Sequence, residues 1–300
     1  MSRKQMGKER VTPYGTLKSV INDEYYQSGQ LKSAMVEEES VLETPYGRLI
    51  PNYRCSDLRK KYREAVTFFQ DGRLESIYLE TPQPIQTSVG CMDAELATFY
   101  PDGAVKRLFP LYGQIGGYWT EENEYTLAKK VKLQLLNQVF DVAPLCITFF
   151  PSGQVRSLTI WQQETIAVDT RYGQVKTKTG FELFESGTLK SIEPVFGTSL
   201  MTEYGRLYPY DSDNYRLHAE GNSLSFAENG KLLSAKTIQS KIKIEKDGKE
   251  RFIQAPTVED PLTGARRLSS LRLIFEDGSV KIEDVSGLDE QFENAMISII

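Results

Sequence analysis

The chain contains a single histidine, His218. Serine–histidine–aspartate or cysteine–histidine catalysis would have to run through it, because each needs an imidazole to take the nucleophile's proton. His218 lies in PYDSDNYRLHAEGNSL, close to Asp211, Asp213 and Glu220, the most polar constellation in the sequence. Asp211, Asp213 and His218 together have the donor types of a metal site. An EF-hand loop does not fit, because Tyr215 and Arg216 fill its fifth and sixth positions. The competing reading of the segment is a polar loop between strands.

Glu121, Glu122 and Glu124 could supply an acid–base pair, or they could be the solvated first turn of a helix capped by Thr120. Arg48 and Arg206 follow matching Tyr-Gly pairs and could bind an anion or join cross-strand ion pairs. Cys55, Cys91 and Cys146 are odd in number and widely spaced, so no disulfide framework or CxxC metal site is expected. They read as small buried apolar residues. The chain has no Walker loop, GxGxxG, HExxH or GxSxG, which argues against the common nucleotide, zinc-protease and α/β-hydrolase mechanisms.

Composition is that of a globular protein: 300 residues, 40% hydrophobic, 26% charged and 11% aromatic. No apolar run reaches the eighteen or so residues of a membrane helix, so an integral membrane protein is not expected. A net charge of -5 argues against nucleic acid as a partner. The start, MSRKQMGKERVTPYG, lacks the apolar core of a secretory signal, which points to the cytoplasm.

One pattern recurs seven times: an apolar or aromatic residue, four positions on a glycine, and two further an aliphatic residue. Its glycines are Gly29, Gly72, Gly103, Gly153, Gly187, Gly230 and Gly278. A shorter Tyr-Gly-x-aliphatic pattern places Gly15, Gly47, Gly113, Gly173 and Gly205. Gly15, Gly29, Gly47 and Gly72 recur 158 residues later as Gly173, Gly187, Gly205 and Gly230. Aligning 12–76 with 170–234 without a gap gives twenty-one identities in sixty-five positions, where about four are expected by chance. This is an internal duplication.

Each copy of the longer pattern reads as a β-hairpin. Pro101 and Pro151 lie two before their glycines, where a two-residue hairpin would require an amide donor that proline lacks. A type I turn closed by a left-handed glycine, the three-residue loop with a G1 bulge, fits instead. It pairs the fourth residue before the glycine with the second after it, an apolar pair in every copy. The opposite face carries aromatics three before the glycine and mostly cations three after it. Phe69, Lys106, Phe150 and Lys190 therefore mark either a half-solvated face or a candidate binding face.

The expected architecture is all-β: an elongated, twisted meander or stack of β-hairpin repeats, internally duplicated, with at most one or two short helices. The best helix signal is near Thr120–Glu124, feeding the alternating strand VKLQL at 131–135. Residues 1–11 read as a basic flexible tail. Residues 12–165 form a first β-repeat half with an insertion near 114–148, and 166–300 a second half with an insertion near 245–268.

The best copies, FFQDGRLES (68–76) and LFESGTLKS (183–191), resemble the MORN-repeat variant found in bacterial proteins. The intervals here are irregular, and the second glycine and the tryptophan of the standard MORN unit are missing. The resemblance implies a hairpin array and a scaffolding or surface-binding role, and it supplies no catalytic residues. The expected function is thus non-enzymatic binding or scaffolding through a repetitive sheet surface, with a protein as partner and no cofactor or metal. The alternatives are an enzyme with a site around His218 or Glu121–Glu124, and peripheral membrane contact through the lysine-bearing face.

Overall fold

The computed structural model describes residues 8–54, 59–60, 63–212, 219–259, 264–277, 279–293 and 295–300. Asp213, His218, Cys55 and Gly278 lie outside them. The chain divides into two compact units, residues 1–133 with 141–156 and residues 134–140 with 157–300. Both are built from antiparallel hairpins, and neither closes into a barrel.

Eleven elements open the chain. They are β1 (Lys8–Thr12), β2 (Gly15–Tyr25), β3 (Leu31–Val36), β4 (Leu42–Thr44), β5 (Gly47–Leu49), β6 (Val66–Phe68), β7 (Leu74–Thr87), β8 (Gly90–Phe99), β9 (Val105–Phe109), the helix α1 (Glu121–Tyr125) and β10 (Val131–Leu135). Then come β11 (Gln138–Val142), β12 (Pro144–Phe149), β13 (Val155–Ile160), β14 (Ile166–Thr170), β15 (Gly173–Thr177), β16 (Gly180–Leu183), β17 (Leu189–Ile192), β18 (Leu200–Thr202) and β19 (Gly205–Leu207). The last are β20 (Leu224–Phe226), β21 (Leu232–Thr237), β22 (Ile242–Lys246), β23 (Lys249–Ile253), β24 (Thr257–Glu259), β25 (Arg266–Leu268), β26 (Leu271–Glu276), β27 (Ser279–Glu283), β28 (Asp289–Glu293) and β29 (Met296–Ile299). The first unit's meander runs β1-β2-β3-β6-β7-β8-β9-β12, and the second's β13-β16-β17-β20-β21-β26-β27-β28. Among the described residues α1 is the only α-helix, and no helix is long and apolar enough to cross a membrane. β1 takes in residues 8–11, which the sequence placed in a basic tail.

The turns follow from the glycines. In six hairpins the glycine N–H donates to the residue three before it, whose own N–H bonds the residue after the glycine; Gly72 to Phe69 and Phe69 to Arg73 are an example at 2.9 and 2.8 Å. Gly72 has φ +84°, the left-handed conformation that a Cβ disfavours, and the other five have positive φ too. The register matches the apolar pattern: Phe68 faces Leu74, Phe99 faces Val105 and Phe226 faces Leu232. These pairs are buried and form the core of each unit.

The last copy departs. Phe275 faces Val280, and Ile274 faces Lys281 rather than Val280. Glu276 pairs with Ser279. Asp71-Gly72, an Asp-Gly pair that also lacks a proline, keeps the three-residue loop, so proline alone does not separate the two cases.

The shorter pattern makes a second kind of hairpin. Thr44 Oγ1 accepts the N–H of Tyr46 and donates to the carbonyl of Gly47. Thr12, Thr170 and Thr202 do the same before Gly15, Gly173 and Gly205. Gly113 does not belong to this set, because Pro110 stands where the threonine would be.

The duplication extends to the strands. β1, β4, β5 and β6 recur 158 residues later, with identical bounds, as β14, β18, β19 and β20. Tyr14 accepts the N–H of Leu74 at 3.1 Å and stacks on Phe68; Tyr172 accepts that of Leu232 at 2.9 Å and stacks on Phe226. The halves diverge after β21, where the hairpins β22–β23 and β24–β25 precede β26.

Candidate functional site

In the first unit an open groove lies along β6, β7, β8 and β9. It has two lobes, of about 500 and 600 Å³, that share Thr67, Ser76, Leu96, Thr98 and Tyr112. Pairing across the strands places a polar row on its floor, because Thr67 faces Ser76, Ser76 faces Thr98 and Thr98 faces Arg107. The hydroxyls of Thr67 and Ser76 are 2.7 Å apart. The Thr98 hydroxyl is buried and has no hydrogen-bond partner among the described residues.

Arg63, Glu64 and Gln114 line the first lobe; Phe69, Glu75, Lys106 and Phe109 line the second. The Arg63 guanidinium lies 4.7 Å from the ring centres of both Tyr78 and Tyr112. Lys106 sits 5.6 Å above Tyr100. A cation over a ring face gains electrostatic attraction while its charge stays available.

The wall of the groove at Tyr112–Gln114 is held by a buried charge cluster. Arg59 donates to Glu95 at 2.8 and 2.5 Å and to Glu124 at 2.7 Å twice. Three consecutive amides then bond the cluster: Tyr112 to Glu95 at 2.7 Å, Gly113 to Glu124 at 2.7 Å and Gln114 to the Arg59 carbonyl at 2.8 Å. Trp119 Nε1 also donates to Glu124, at 2.7 Å. Burial opposes ionisation of Glu124, but the donors from Arg59, Trp119 and Gly113 outweigh it and hold its carboxyl below the usual range.

Glu124 is therefore not part of a solvated helix face. The capping box at Thr120 and Asn123 forms, Glu122 is exposed, and Glu124 turns inward at 1% exposure. A carboxylate held ionised by this many donors is poorly suited to give up a proton.

The other residues singled out in the sequence are dispersed. Phe69 and Lys106 meet in the groove. Phe150 lies on the β12 hairpin, with Arg156 6.0 Å from its ring centre. Lys190 is in the second unit, paired with Glu182 at 2.9 Å. Asp211 is buried and accepts from Lys236 at 2.7 Å and Ser270 at 3.1 Å. Asp213 and His218 lie outside the described residues, among which no group of His, Cys, Asp or Glu has metal-site geometry. Arg48 makes the cross-strand ion pair with Glu43, at 3.1 Å, whereas Arg206 faces Met201. Cys146 is buried, but Cys91 is exposed, because it stands on an outward position next to the β7–β8 turn.

The hydroxyl row left a signal that the hairpin pattern did not use. The fourth residue after the glycine is Ser33, Ser76, Ser157, Ser191 or Ser234 in five of the seven copies. Arg59, Glu95 and Glu124 left none, being 36 and 65 residues apart.

No protein-family model matches the chain, and neither a curated protein nor a solved structure matches it.

Proposed function

We propose that this chain is a non-enzymatic binding protein of the cytoplasm, a MORN-like hairpin array that engages a protein partner through the groove over β6–β9. The observation that carries this reading is the comparison of the groove with its duplicate. At an offset of 158 residues Phe69, Glu75 and Tyr78 become Ala227, Leu233 and Lys236. Thr98, opposite Ser76, becomes Ile274, opposite Ser234. The hairpins persist in both halves, so the fold does not require the groove's lining. Aromatic rings, unpaired cations and hydroxyls gathered on one open surface are what recognition uses.

The test is to add native extract fractions to the isotopically labelled full chain and follow its amide resonances. Binding predicts persistent shifts confined to the groove, with the added material recovered unchanged. Shifts that decay to the free spectrum while the material is consumed would establish turnover and overturn the reading.

A further inference from the structure

We infer that the groove takes an extended peptide segment with spaced acidic side chains; this rests on the binding reading above. Arg63, Lys106 and Arg107 line the groove, and none makes an ion pair with another described residue. Elsewhere in the same unit Arg10 is matched by Asp23, Lys32 by Glu24 and Arg73 by Asp71. Three unmatched cations on one surface of a chain whose net charge is -5 are a local reversal of sign.

Their placement sets the ligand's spacing. Arg63 is at one end, and Lys106 and Arg107 are at the other. Aromatic and aliphatic side chains, Tyr112, Leu96 and Phe109, lie between the ends. A segment with carboxylates near both ends and apolar residues between them is complementary.

Two other polyanions fit less well. Glu64 and Glu75 also line the groove, and a uniformly charged strand such as nucleic acid would meet both of them. An acidic sugar chain needs open ring faces for stacking. Here Arg63 covers faces of Tyr78 and Tyr112, and Phe109 packs at 5.2 Å against Tyr112.

The experiment pans a random decapeptide display library against the full chain and titrates the strongest peptide by fluorescence anisotropy. We expect selected peptides enriched in spaced Asp and Glu, with affinity falling as salt rises. It should fall at least ten-fold in Arg63→Gln and in the exposed double variant Lys106→Gln/Arg107→Gln, and stay unchanged in Lys190→Gln. Hydrogen exchange of each variant confirms that it is folded, and Arg63→Lys tests the stacked guanidinium against charge alone. Peptides without acidic enrichment, or affinities indifferent to these variants, would overturn the inference. So would an oligogalacturonate that displaces the peptide at lower concentration. If the groove resonances still respond to native extract in that event, the binding reading survives; if they do not, both fall.

Discussion

The backbone N–H of Gly113 donates to Glu124 at 2.7 Å, and a Cβ on Gly113 would stand 2.2 Å from the same carboxylate. Only glycine lets the carboxylate come so close to the chain. Gly113→Ala should push Glu124 off Arg59 and destabilise the protein by about 2–4 kcal/mol, as expected when a buried ionic network is broken. Gly116→Ala, with open space around its Cβ, should stay within about 0.5 kcal/mol of wild type. Urea unfolding of the two variants measures both.

Acid should reveal the same cluster. The folded pKa of Glu124 is lowered, so its contribution is fully present above its unfolded value, about 4.3. That contribution is lost as pH falls through the lower folded value. Wild type should therefore lose stability more steeply below about pH 4.5 than Glu124→Gln, and the gap between them should narrow. Thermal midpoints that stay parallel from neutral to acid pH would show that Glu124 is not held by its donors.

Thr98 offers a change in the opposite direction. Its hydroxyl is buried with no partner among the described residues, and such an orphan costs about 1–3 kcal/mol. Thr98→Val keeps the shape and β-branching and removes the orphan. It should raise the stability by up to about 1 kcal/mol, read as a shift of the urea midpoint without a change in slope.

The duplication predicts matched energetics. Tyr14→Phe and Tyr172→Phe each delete one hydroxyl that accepts a turn amide, from Leu74 and Leu232 respectively. Each should cost about 0.5–1.5 kcal/mol, and the two costs should agree within about 0.5 kcal/mol. A large effect at one site alone would mean that the twin turns are not energetic equivalents.

The hairpins were legible because their constraints are local. Proline at 101 and 151 eliminated one loop type, and two apolar residues six apart, astride the glycine, set the register. The same rule failed at 274–280, although Asp71-Gly72, an Asp-Gly pair equally without a proline, follows it. The groove was legible only at Phe69 and Lys106, which share the outward face of successive hairpins. Arg63, Tyr78 and Tyr112 converge through tertiary packing, and nothing in their spacing announces it. The inward turn of Glu124 was hidden for the same reason: its partners Arg59 and Glu95 are remote in the chain.

Hydrogen–deuterium exchange of the full chain, with and without native extract, tests the groove most directly. The twin segments provide the internal control, since 66–78 and 224–236 share strands but not lining. Slowed exchange is predicted in 63–69, 75–78, 96–99 and 105–114, with none in 224–236. Protection that appears instead around Asp211 and Glu220, or equally in both twins, would contradict the assignment of the groove as the binding surface.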